Sequence, residues 1–165
     1  MPEPEPWLRG PLRDVHPLIQ PVLHSFAQVR EDLACHASGL AAEQVWRRVA
    51  GSSLGFHLKH LAGSIDRLTT YLAERELTEE QLLALRQEAS GNENADELLK
   101  CVEEALAASE ERLREMDVNR LYEARAVGRK RLPTTLIGLL VHLSEHTQRH
   151  LGQAITTAKI LRDTG

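Results

Sequence analysis

A chain of 165 residues is long enough for one real hydrophobic core, and its 42% apolar and 27% charged residues are ordinary for a globular protein. The formal net charge of −4 argues against a phosphate-tracking surface, so no nucleic-acid partner is expected. No apolar run approaches the ~20 residues that span a bilayer, and the acidic, proline-rich start Met1-Pro-Glu-Pro-Glu-Pro6 is the wrong chemistry for a secretory signal, so no membrane partner and a cytoplasmic location are expected. Cys35 and Cys101 form no CxxC pair and read as reduced, buried thiols.

Leu and Ala dominate the apolar content, which favours helix over sheet. Residues 1–13 read as an extended lead-in to a single domain covering residues 1–165. Over residues 15–37, Leu18, Val22, Leu23, Phe26, Val29 and Leu33 recur at helical spacing, with Pro17 and Pro21 confined to the first turns and Gly39 as a stop. A connection follows, with a short turn of helix around Gln44-Val-Trp46. Ser52 or Ser53 then caps a second long helix to about residue 74, with Phe56, Leu61, Ile65, Leu68 and Leu72 facing inward. Thr78-Glu-Glu-Gln81 has the form of a capping box and opens a short helix to about residue 88. Residues 95–116 form a third long helix on Leu98, Leu99, Val102, Leu106 and Leu113. Residues 117–133 are less periodic and carry the basic cluster Arg129-Lys-Arg131, read as a solvated loop that could border an opening for an anion. The fourth long helix starts near residue 133 and reaches about residue 162. Four long amphipathic helices with one short extra helix predict an all-α four-helix bundle.

Placement matters more than number among the eight histidines. His142, His146 and His150 recur every four residues, so successive members turn by ~40° and climb ~6 Å along one stripe. Two histidines at i and i+4 can aim both imidazoles at one ion. Chance placement would give such a triple in roughly 0.02 sequences of this composition, so the stripe stands above background. A third ligand must come from another helix, and the second helix offers His57 and His60. Three histidines leave coordination positions open, as catalytic zinc sites do. The same histidines could instead be interhelical hydrogen-bonding partners. His16, His24 and His36 read as structural or surface residues, with His24 the one facing inward.

At these residues the chain resembles the DinB-like superfamily of metal-dependent bundles. The likeness is carried by Ser53-Leu-Gly-Phe-His-Leu-Lys-His-Leu-Ala-Gly-Ser-Ile-Asp-Arg-Leu68 and by His142-Leu-Ser-Glu-His-Thr-Gln-Arg-His-Leu-Gly-Gln153. The resemblance implies a bundle with long crossover connections, one of which residues 117–133 are long enough to form. It implies a metal triad of His60, His146 and His150, with His57 and His142 one turn away. A divalent metal, Zn or Ni first, is the implied cofactor, and a low-molecular-weight thiol is a second. A homodimer is also implied.

The implied function is that of a metal-dependent enzyme acting on a small molecule, as a thiol-dependent transferase or a hydrolase. The alternative is a non-catalytic metal-binding or structural bundle. His57 is the acid/base candidate by position, since Glu145 points about 100° away from His146 around its helix. Asp66 falls off the ligand face with Arg67 as its salt-bridge partner, and Gln153 is expected to bond at the helix interface.

Overall fold

A computed structural model describes residues 3–164. Its helices are α1 (Gln20–His36), α2 (Ala42–Trp46), α3 (Leu54–Leu72), α4 (Glu79–Arg86), α5 (Ala95–Arg114) and α6 (Leu136–Asp163). Several begin where a polar side chain accepts from the free N–H groups of a first turn. Ser53 Oγ accepts from Phe56 N at 3.1 Å and opens α3. Thr78 with Gln81, and Asn94 with Glu97, close reciprocal capping boxes ahead of α4 and α5. Thr135 does the same service for α6 by accepting from Gly138 N.

α1 starts later than periodicity predicts. A helix from residue 15 would bury Pro21 beyond the first turn, where its ring lacks an N–H and meets a carbonyl. Starting at Gln20 leaves Pro21 in the tolerated first turn, and Leu18 stays outside, 54% exposed, rather than joining the apolar stripe. Both thiols are also exposed, because Leu33 and Val102 take the inward positions beside them.

The core is a single cluster that draws Phe26 and Val29 from α1, Leu58 and Ile65 from α3, Leu106 from α5 and Leu143 from α6. Hydrogen bonds and ion pairs between helices give their directions. Gln148 bonds Ser25 O and Arg162 bonds His36 O, so α1 and α6 run parallel. Lys59 pairs with Glu93 just ahead of α5, and Thr69 meets Ser109 further along it, so α3 and α5 are parallel too. Two consecutive long helices can be parallel only if the chain returns the full length of the bundle between them. The long crossover is therefore residues 73–94, which contain α4, and not residues 117–133. It runs back along α3, with Gln81 on Asp66 and Glu88 on His60.

Residues 117–135 make an ordinary antiparallel return carrying a hairpin that the aperiodic sequence did not announce. Strands β1 (Ala124–Val127) and β2 (Leu132–Thr135) pair antiparallel, Ala124 opposite Thr135. The basic cluster Arg129-Lys-Arg131 lies at its exposed tip. No helix among the described residues is long and apolar enough to cross a membrane.

Candidate metal centre

α3 and α6 cross antiparallel, and their histidine faces meet. His60, His146 and His150 each offer a ring nitrogen, and these atoms all lie within 4.8 Å of one another. The ring centroids are 4.3 Å apart for His60 and His150, 4.6 Å for His146 and His150, and 5.3 Å for His60 and His146. His60 Nε2 stands 3.1 Å from His146 Nε2. Two nitrogens on one tetrahedral ion, each bonded at ~2.0–2.1 Å, would stand about 3.3 Å apart, so the pair is close to a ligating separation.

Glu88 decides which nitrogen His60 turns inward. Its carboxylate, 5% exposed, accepts from His60 Nδ1 at 2.7 Å. With the ring proton held there, a neutral His60 keeps its lone pair on Nε2, facing His146. Glu88 also lies 2.8 Å from Arg67, an ion pair too poorly aligned to be a hydrogen bond, since Arg67 Nη1 and Glu88 Oε1 have no hydrogen-bond partner. Burial pushes the Glu88 carboxyl up, but the His60 hydrogen bond and the Arg67 charge outweigh it and hold the group below its ordinary range. Gly63 makes room for this pair. A Cβ there would sit 2.5 Å from Arg67 Nη1 and 2.8 Å from Glu88 Oε1, which explains a glycine inside a helix.

His146, His150 and His57 are all lowered from the ordinary imidazole range. Burial, then the neighbouring His60, lowers His146, and the same causes with His146 added bring His150 down to about 4. Burial and then His60 lower His57 as well. His146 Nδ1 and His150 Nδ1 are buried with no hydrogen-bond partner, and so is His57 Nδ1. Neutral imidazole donors suit Zn, Ni, Cu or Fe. The residues fit a metal.

A model of the DinB superfamily matches residues 25–154, a stretch holding all three clustered histidines. The chain belongs to the DinB superfamily. No curated protein matches it. Within this DinB-superfamily bundle the three histidines implied by resemblance are the three whose ring nitrogens converge, while His142 and His57 fall outside that group although the His142 ring centroid is 5.2 Å from that of His146. His142 is largely exposed and bonds Glu145 at 2.7 Å, and Glu145 also takes Arg149. His57 is 6% exposed, its centroid 6.1 Å from that of His150.

Three expectations are corrected. Arg67 pairs with Glu88 and not with Asp66, which accepts from Gln81 across the crossover. Phe56 is not a core residue; it stacks on the His60 ring at 5.5 Å with 17° between planes. Gln153 is exposed, pointing away from the helix interface. The residue that sequence reading missed is Glu88, because a lone glutamate after a short helix carries no local pattern. Its nearest signal was Gly63, which marks a close approach onto α3.

Proposed function

We propose that this DinB-superfamily chain is a metal-dependent enzyme acting on a small molecule, by thiol-dependent group transfer or by hydrolysis. The convergence of His60, His146 and His150 carries the reading. A divalent ion held by these residues, Zn or Ni first, would leave coordination positions open and lower the pKa of a thiol or a water there. The protein's own part is preparation. Glu88 orients His60, burial keeps lone pairs on His146 and His150, and Phe56 shields one face of His60 from water. His57 is the proposed acid/base group by position, buried beside His150 with a free ring nitrogen.

The test uses untagged, full-length protein. Metal analysis should find close to one equivalent, absent from a His146→Ala/His150→Ala variant. The loaded protein is then given a panel of low-molecular-weight thiols with electrophiles, and a panel of esters and amides. Turnover should disappear in His60→Ala, and in His57→Asn it should disappear while metal is retained. Absence of metal, with thermal stability unchanged by chelators, would sink the proposal. One equivalent of metal with no turnover in either panel would overturn the enzymatic part and leave a metal-binding bundle.

A further inference from the structure

A cavity of about 590 Å³ opens beside the histidine cluster, between the N-terminal end of α3 and the last residues of the crossover. Trp46 and Phe56 supply its apolar surface, residues 89–91 one wall, and Arg48 with Ser52 and Ser53 the rim. Pockets of ~300–1,000 Å³ are the usual size for small-molecule sites. None of the three clustered histidines lines it, yet both of its walls are fastened to them. Phe56 stacks on His60, and residue 89 directly follows Glu88, which bonds His60.

Trp46 is held in place from several sides. Its indole Nε1 donates to Glu93 O at 3.0 Å, and Lys59 Nζ stands 5.1 Å over its ring. A Cβ on Gly55 would lie 2.7 Å from the ring and one on Gly91 2.5 Å, so both glycines leave room for a flat indole. The rim is equally fixed. Val49 and Ser52 exchange backbone hydrogen bonds around Ala50 and Gly51, both at positive φ, and Arg48 donates to Gly51 O at 2.7 Å. Among the described residues lining the cavity, Arg48 is the one charged side chain, and no carboxylate there opposes it. Its planar fork has donors to spare beyond the single bond to Gly51.

We propose that this cavity is the substrate pocket of the metal centre and takes a small molecule with a flat apolar body and one anionic group, the body between Trp46 and Phe56 and the anion on Arg48. Its role as a substrate pocket rests on the metal-enzyme reading; its ligand preference does not. The test uses full-length protein carrying Trp7→Phe, so that Trp46 is the reporter, with 4-phenylbutyrate and its uncharged amide as probes. The carboxylate should shift Trp46 emission saturably and bind about tenfold more tightly than the amide, the worth of one charge-assisted hydrogen bond. Arg48→Gln should remove that tenfold difference and leave amide binding unchanged. Ala89→Phe, at an exposed position, should block both probes.

Equal binding of acid and amide, or a difference that survives Arg48→Gln, would overturn the ligand assignment. Binding that survives Ala89→Phe, or no saturation at millimolar probe, would overturn the pocket. Proximity is read separately, by the aromatic proton lines of the bound probe with Co(II)-loaded against Zn(II)-loaded protein. Broadening by Co(II) supports a pocket serving the centre. Probe binding without broadening would overturn that role and leave the metal site standing. Protein that takes up no metal would defeat the metal-enzyme reading, and the substrate role with it, while the Trp46 titration still decides the ligand preference.

Discussion

Replacing Glu88 by Gln removes one charge and keeps the shape, and the structure says what that should do. Glu88 and Arg67 are 5% and 8% exposed, so the substitution leaves a buried guanidinium without its counter-ion. Breaking a buried pair from one side typically costs ~3–5 kcal/mol, and here the pairing lacks a well-aligned hydrogen bond, which places the loss near the lower end, about 3 kcal/mol. The second consequence is for the metal. An amide at residue 88 holds His60 Nδ1 by a neutral hydrogen bond, weaker than the charged one. Loss of such a supporting partner lowers metal affinity by ~10–100-fold. Competition against a chromophoric chelator measures affinity, and thermal unfolding of the metal-free protein measures stability. Glu88→Gln/Arg67→Met separates the two effects, because it removes the orphaned charge but not the weakened His60 contact. The double variant should recover most of the stability and none of the affinity. Affinity within threefold of the parent in Glu88→Gln, or recovered together with stability in the double variant, would refute the orienting role.

Other outcomes follow from the same geometry. His142→Ala should bind metal within threefold of the parent, measured by the same competition, because its imidazole is engaged with Glu145 at the surface. Gly63→Ala should gain ~1 kcal/mol of helix propensity yet lower metal affinity several-fold, since the new Cβ displaces the Arg67–Glu88 pair beneath His60. Metal-free protein should lose stability on acidification below pH ~6.5, where an unfolded histidine takes a proton that native His150, with its pKa near 4, refuses. The loss grows as pH falls toward 4 and is flat above ~6.5. The full shift corresponds to ~3 kcal/mol, trimmed to about 2 by partial solvent access, and His150→Gln should flatten the slope in urea denaturation at several pH values.

Much of the scaffold is legible from local chemistry. Ser53, Thr78 and Gln81 announce helix starts because capping involves side chains and N–H groups only three residues apart. The spacing of His142, His146 and His150 places all of them on one stripe of α6 because helical periodicity is a property of the backbone. Spacing leaves His57 and His60 equivalent, since they are neighbours on a single face. Resemblance selected His60, and the packing of α3 on α6 brings that ring within reach of His146 while leaving the centroid of His57 6.1 Å from that of His150. The parallel course of α3 and α5 was beyond local reading, because the direction of a helix depends on how far its connection travels and not on its own residues. That course carries residues 73–94 back along α3 and delivers Glu88 to a histidine 28 positions earlier in the chain. It also sets Trp46, Phe56 and residues 89–91 around one cavity. Sequence determined the helices and the histidine stripe, through contacts a few residues long. The carboxylate that bonds His60 and the pocket beside the cluster came from tertiary packing, because they join residues that share no local pattern.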